Sequence, residues 1–479
     1  MSVPNLSERT LSAKVDIVNR TMNLTPGARV GIARRLSRLL MVVSLVTACA
    51  TVVAAQSKAI AVTDVTLIDG TGARPRVVTV IADGDRITAI ARNRRERIPT
   101  GATIVDGRDK YLIPGMWDMH VHIGGYNEGT KVLPRLVAYG ITGVRDMASP
   151  VDDVLRLRRE SADGTLLGPQ IVAAGPILQR PLPFKTPPLI RTVTDADAKQ
   201  VVDDLQAKGV DFIKVGDTLT RDAYFGIASE AKRLALPFAG HLPVSVTALE
   251  ATQAGQRSIE HFGSAGFRNV LIACSSAEAE LTSEIRDALA SALAGGPSPD
   301  EKLYRADFLT RLVETYDKRK AAALFSAFKK NGTWQVPTFG ALRSVWDARR
   351  TQLNPDDAAA TDGAAKKTVE MFADMRRAGV KVLAGSDLPV SSGVPPLHDE
   401  LVALVRAGMT PVEALQASTR SAAEFFGRLA DEGTVEVGKK ANFVLLEANP
   451  LTDIANTRRV AAVVLGGRLL SGADLQRFR

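Results

Sequence analysis

The sequence predicts an α/β protein: a (β/α)₈ TIM barrel with a small β-sandwich formed from both chain ends. Three observations carry this reading. Eight short apolar runs, each followed by a helix-length stretch, fill the middle of the chain. Segments with β-like alternation flank that block on both sides. Four of the five histidines stand at the ends of predicted barrel strands, on the face where such barrels carry their chemistry.

In chain order, residues 1–55 read as a targeting segment. Arg34, Arg35 and Arg38 precede an apolar run over 39–50, too short to span a bilayer comfortably but suited to the core of a signal peptide. Val53-Ala54-Ala55 offers small residues for cleavage before Gln56, and Val46-Thr47-Ala48-Cys49 offers a lipoprotein-like alternative anchored through Cys49. Export to the periplasm or outside the cell is therefore expected, with no integral membrane span after processing. Cys49 and Cys274 are the only cysteines, so removal or lipidation of Cys49 leaves no intrachain disulfide.

Residues 56–112 read as the first part of the sandwich, with strands over 60–67, 77–82, 86–91 and 102–106 punctuated by Asp69-Gly70 and Asp83-Gly84. Residues 431–479 supply the second part, with strands over 442–447, 460–465 and 468–470 around Gly466-Gly467. The barrel is expected over 113–430. Its strands one to eight are 116–122, 143–147, 170–174, 212–215, 238–241, 258–262, 335–339 and 382–386. A helical insertion over about 263–333, rich in Ala, Glu, Lys, Arg and Leu, follows strand six and is a candidate lid.

The chain of 479 residues is 45% apolar, ample for a large core. Its net charge is +9, but residues 1–55 hold seven basic and two acidic side chains, so +5 of that charge belongs to the leader. The body lacks a dense Lys/Arg patch, which argues against a nucleic-acid partner.

His120 and His122 lie two apart on one strand and so share a face, with Asp118 in the same register. Two imidazoles at a strand end can grip a zinc-like ion; a hydrogen-bonded histidine pair is the alternative. His241 ends strand five and His261 ends strand six, each able to add a neutral nitrogen ligand. Asp387 follows Leu383-Ala384-Gly385-Ser386 at the end of strand eight, where a carboxylate can hold a metal and accept a proton from water, or else cap the next helix. Asp211-Phe212-Ile213-Lys214-Val215 places one lysine at the end of an otherwise apolar strand. Burial there is costly unless the amine is paired or neutralised, for instance by carboxylation to a metal-binding carbamate. A salt bridge to a barrel carboxylate is the competing account. His398, at the start of a helix away from the strand ends, reads as structural.

The segment Ile113-Pro114-Gly115-Met116-Trp117-Asp118-Met119-His120-Val121-His122 resembles the strand-one signature of the amidohydrolase superfamily, and the resemblance runs from about residue 60 to the C-terminus. It includes the flanking sandwich and Gly408-Met409-Thr410-Pro411-Val412-Glu413-Ala414-Leu415. In detail the chain is similar to the imidazolonepropionase-like branch, with its Xaa-Pro dipeptidases, dipeptide-cleaving carboxypeptidases and ochratoxin amidases. The resemblance implies two divalent metal ions, zinc by preference. His120, His122 and Asp387 would hold the more buried ion and His241 and His261 the other, with carboxylated Lys214 and a hydroxide bridging the two. Asp387 would pass a proton from the attacking hydroxide to a leaving amine. The implied reaction is hydrolysis of a C–N bond in a small-molecule amide or dipeptide.

Several alternatives stay open. One is a mononuclear amidohydrolase or deaminase acting on cyclic amides. Others are an esterase, lactonase or phosphotriesterase using the same site, or a barrel that has lost its chemistry. True imidazolonepropionases lack the lysine, and Leu242-Pro243-Val244-Ser245 after His241 lacks the acid typical of deaminases. A homo-oligomer is also left open.

Overall fold

The structure is a computed structural model and describes residues 59–92, 98–124, 129–181, 186–263, 268–387 and 394–479. The expected leader lies outside the described residues.

Strands β1 (Ile60–Leu67), β2 (Arg76–Asp83), β3 (Arg86–Ala91), β4 (Thr103–Asp106) and β5 (Tyr111–Pro114) open the fold. The barrel strands follow: β6 (Met116–Val121), β7 (Ile141–Asp146), β8 (Gln170–Ala173), β9 (Ile177–Gln179), β10 (Ile190–Thr192), β11 (Ile213–Val215), β12 (Phe238–Gly240), β13 (Ser258–Glu260) and β14 (Trp334–Val336). The chain closes with β15 (Phe443–Leu446), β16 (Val460–Leu465) and β17 (Arg468–Ser471).

The two chain ends do combine, but into one mixed sheet rather than two facing ones. Its order is β17-β16-β15-β5-β1-β2-β3, with β4 also on β1. Two strands share one edge of β1: Ile60–Thr63 pair with β4, and Thr66–Leu67 pair with β5. The handover coincides with a register break between Val62 and Val65, where Asp64 takes a left-handed φ of 55°. The sheet curls over an apolar core that includes Val65, Val80, Leu112, Phe443 and Val464. At the seam, Gly467 presses on the turn at Gly84; a Cβ there would fall 1.7 Å from the Gly84 carbonyl oxygen, so only glycine fits.

The barrel strands pair in parallel: β6–β7–β8, then β9–β11–β12–β13–β14. Barrel strand three is split. β8 stops at Ala173, the chain turns through Gly175 at φ 74°, and β9 carries on beside β11. Barrel strand eight makes a single bridge, Gln335 to Val382, yet its backbone closes the circuit. Leu383 N donates to Gln335 O, while Met119 N donates to Ala384 O and Asp387 N to His120 O. Trp117, Met119, Phe212, Trp334 and Leu383, with Phe425 and Phe426 packed on them, form a separate apolar cluster among the barrel strands.

The region expected as a helical insertion contains helices Asn269–Ala273, Glu278–Leu293, Asp300–Leu303, Ala306–Glu314 and Lys318–Asn331. Phe308, Leu309 and Leu312 are buried in the main core, and Ala306 N donates to Asp357 in the outer helix Pro355–Arg377. Asn269 Nδ2 donates to the Leu242 carbonyl, so the region packs both on the outer helices and on the segment that follows His241. No described helix is long and apolar enough to cross a membrane.

Candidate metal centre

The parallel strands deliver the six singled-out side chains to one end of the barrel. His120 sits near the end of β6 and His122 one residue beyond it; His241 and His261 directly follow β12 and β13; Lys214 is the central residue of β11; Asp387 ends the strand-eight segment. Among the described residues, four of the seven non-glycine residues with left-handed backbone are here: His261 (φ 55°), Phe262 (50°), Thr338 (50°) and Asp387 (50°). Strain of that kind persists only where surrounding structure holds it, and it clusters at functional sites.

The histidines converge on Asp387. Its Oδ1 lies 3.0 Å from His122 Nε2 and 3.4 Å from His120 Nε2, and its Oδ2 lies 3.4 Å from His261 Nε2. Ligand-type atoms of His120, His122 and Asp387 all fall within 4.8 Å of one another. His241 joins through its ring, 5.3 Å from that of His261, with its buried Nδ1 4.0 Å from Asp217 Oδ2.

The opposite ring nitrogens show which tautomer each histidine adopts. His122 Nδ1 is 3.0 Å from the Ala148 carbonyl, which can only accept. His120 Nδ1 is 2.9 Å from Glu260 Oε2, a carboxylate that also receives Arg145 and Ser258 donors. His261 Nδ1 is 2.6 Å from Thr338 Oγ1, whose own proton goes to the Pro337 carbonyl, 2.8 Å away. All three rings therefore donate from Nδ1 and turn Nε2 toward Asp387. Neutral rings in that state aim lone pairs at a carboxylate, which is repulsive unless a cation or extra protons lie between.

Extra protons are disfavoured on most of these rings. Burial, reinforced by the Lys214 charge, pushes His120 and His241 well below the ordinary histidine range. Burial brings His261 to about 4 despite the opposing pull of Asp387. His122 differs: burial lowers it, but the bond to Asp387, the Asp387 and Asp146 charges and the Ala148 carbonyl together hold it above the usual value. Asp387 is pushed up by burial, yet the His261 and His122 charges keep it below the ordinary carboxylate range. A converging set of bare imidazole nitrogens and one ionised carboxylate, each ring oriented from behind, suits a divalent metal.

Lys214 is 1% exposed, and among the described residues it makes neither a hydrogen bond nor an ion pair. Burial lowers its pKa to about 8 against the pull of Glu260 and Asp387. The salt-bridge account of this residue thus finds no partner among the described residues. His398 is buried elsewhere, on helix Leu397–Arg406, with Nδ1 3.0 Å from Thr457 Oγ1.

Sequence reasoning passed over Glu260, Arg145 and Thr338, and noted Asp118 only for its register beside His120 and His122. Asp118 is buried and accepts from Ser386 N (2.9 Å) and Ser386 Oγ (2.6 Å), locking strand eight to strand one; burial raises its pKa to about 6. The signal for Glu260 and Arg145 was the one that exposed Lys214: a charge inside an otherwise apolar barrel strand. Thr338 gave no such signal.

The chain shares its fold with known proteins. Ochratoxinase from Aspergillus niger is 23% identical over 426 aligned residues, covering 76% of each chain. Among solved structures, a Xaa-Pro dipeptidase with bound methionine superimposes with TM-score 0.65 at 20% identity, over 86% of this chain and all of that one (100%). Aspergillus niger ochratoxinase superimposes with TM-score 0.61 at 21% identity, over 87% of this chain and 96% of that one. Molinate hydrolase gives TM-score 0.61 at 19% identity, over 87% and 95%. The sequence profile of the amidohydrolase family matches residues 111–470, three quarters of the chain, and the chain belongs to that family.

Proposed function

We propose that the protein is a metal-dependent hydrolase that cleaves a C–N bond in a small amide or dipeptide, using two divalent ions, zinc by preference. The observation that carries this reading is the cluster itself: His120, His122 and His261 turn Nε2 toward Asp387, with a buried Lys214 nearby that has no hydrogen bond or ion pair among the described residues. His120, His122, His241, His261 and Asp387 would hold the ions together with a carbamate on Lys214. That carbamate forms when the free amine adds to CO₂ with loss of one proton; burial, which favours the uncharged amine, assists the addition. Bound ions would supply Lewis acidity to the scissile carbonyl and acidify the attacking water.

The chain's own residues account for the remaining chemistry. Asp387, kept ionised by its histidine neighbours, takes the proton from the water nucleophile and returns it to the leaving amine. Burial of the centre excludes bulk water and strengthens each charge interaction. The acid-free segment Leu242–Ser245 after His241 favours hydrolysis over deamination. Ochratoxinase and Xaa-Pro dipeptidase, both hydrolases by name, support a small amide or dipeptide as the substrate.

The test is elemental analysis combined with a screen of N-acyl amino acids, dipeptides and aryl esters on zinc-loaded protein. Two ions per active chain with amide turnover is expected. One ion per fully active chain would replace this with the mononuclear reading, and turnover of esters alone would replace the C–N assignment.

We also propose export, with a mature terminus at Gln56 or a lipidated Cys49, on the order of basic, apolar and small residues in the leader. Mass spectrometry of protein from the producing cell checks this; an intact Met1 terminus in the cytosol overturns it.

A further inference from the structure

We propose that Glu260 is a positioning residue of the centre: its carboxylate fixes the ring proton of His120 on Nδ1 and thereby keeps Nε2 bare toward Asp387. The inference rests on reading His120 as a metal ligand.

Glu260 ends β13 and is wholly buried. Three partners reach it from three strands. Arg145 on β7 donates from one terminal nitrogen to both oxygens at 2.9 Å, the Ser258 hydroxyl donates to Oε1, and His120 Nδ1 lies 2.9 Å from Oε2. Arg145 also donates to Ser258 Oγ (2.9 Å) and to the Met119 carbonyl (2.7 Å), directly before His120 in the chain. Arg145 thus ties the backbone of strand one to the carboxylate that holds the histidine of strand one.

A carboxylate buried alone would be expensive and would tend to take up a proton. The Arg145 guanidinium and the Ser258 hydroxyl both donate to Glu260, so its oxygens stand as acceptors toward the ring. The His120 ring then has to supply the proton. The other two oriented histidines use neutral acceptors, the Ala148 carbonyl and the Thr338 hydroxyl. His120 is instead backed by a charged one, and a carboxylate behind a ligating imidazole makes its free nitrogen a stronger donor to a metal. If Glu260 were only the counter-ion of Arg145, it would not need to divide Oε2 between the guanidinium and the ring.

Glu260→Gln separates the two roles while keeping shape. Arg145 and Ser258 claim the amide oxygen, so the NH₂ group faces His120 Nδ1, which must now accept. The ring proton moves to Nε2, the atom aimed at the centre. The measurement is zinc affinity of the full-length protein by competition with a chromophoric chelator, with His120→Asn as reference. We expect Glu260→Gln to weaken zinc binding roughly 10–100-fold. Unchanged affinity in Glu260→Gln, with loss in His120→Asn, overturns the positioning role. Unchanged affinity in both overturns the ligand reading beneath it. If Glu260→Gln fails to fold, wild-type zinc-loaded protein labelled with ¹⁵N-histidine decides. The His120 resonance, identified by its absence in His120→Asn, is expected to show an exchange-protected Nδ1–H, and an Nε2–H there overturns the proposal.

Discussion

His120 and His398 look alike one residue at a time. Each is fully buried, each is hydrogen-bonded through Nδ1, and each has a buried Nε2 with no hydrogen bond among the described residues. Burial pushes both pKa values down, His398 to about 3. Their surroundings differ. His398 has the Tyr139 ring 6.1 Å away and the Arg458 charge nearby, whereas His120 has two other imidazoles, an ionised carboxylate and the Lys214 charge around it. An unsatisfied ring nitrogen is therefore not a metal ligand by itself. What distinguishes the barrel mouth is convergence of several such atoms on one carboxylate, a state that a core histidine never has to tolerate.

The largest expected effect breaks that comparison outright. His120→Ala or His122→Ala should remove bound metal and activity together, while His398→Ala should keep both and cost about 2 kcal/mol of stability from the lost packing. Metal content and thermal unfolding on the same samples check this. Activity surviving in His120→Ala would place the chemistry elsewhere.

Lys214→Ala should abolish most activity and weaken at least one ion. Lys214→Arg should not rescue, because a guanidinium stays protonated and cannot be carboxylated. Acetate should restore part of the function of the alanine variant, and bicarbonate part of what the wild-type protein loses at low pH. A lysine serving only as a counter-charge predicts the reverse, with Arg retaining function and metal content unmoved.

Stripping metal with a chelator should lower stability by about 4 kcal/mol when zinc is present at a thousand times its Kd, an effect absent in His122→Ala and intact in His398→Ala. Differential scanning calorimetry with and without chelator measures it.

The smallest effects are those of pH, and they sharpen the contrast from both sides. His398, lowered to about 3 mainly by burial, is neutral when folded and protonates near the ordinary value of 6.5 when unfolded. Its contribution is therefore fully present above about pH 6.5 and is lost as pH falls toward 3. Glu400, raised by burial to about 8, runs the other way: its contribution is present below 4.5 and is lost as pH rises through 8. Glu400→Gln should flatten the alkaline arm of the stability–pH curve and leave the acidic arm, with chemical denaturation at several pH values as the readout. An unchanged alkaline arm would show that Glu400 is not ionising there.

Much of the centre was legible in order along the chain. Hydrophobic runs of strand length placed His120, His122, His241, His261 and Asp387 at strand ends, and Lys214 stood out as a charge where only apolar side chains belonged. Local periodicity also marked the edges of β1, β3 and β16 to the residue. Three things were not legible. The chain-end strands form a single curled sheet, because the register break at Asp64 lets β1 take two partners on one edge. Barrel strand three breaks at Gly175. The histidines are held by Glu260, 140 residues from His120, and by Thr338, 77 residues from His261. Side-chain period and turn chemistry are local properties, and the sequence by itself determined what they control: the elements, their order, and which residues end them. Which acceptor stands behind which ring depends on how eight strands close into a circle. Only the tertiary structure decided that, because a hydrogen bond between residues so far apart exists only once barrel closure has brought strands one and six into register.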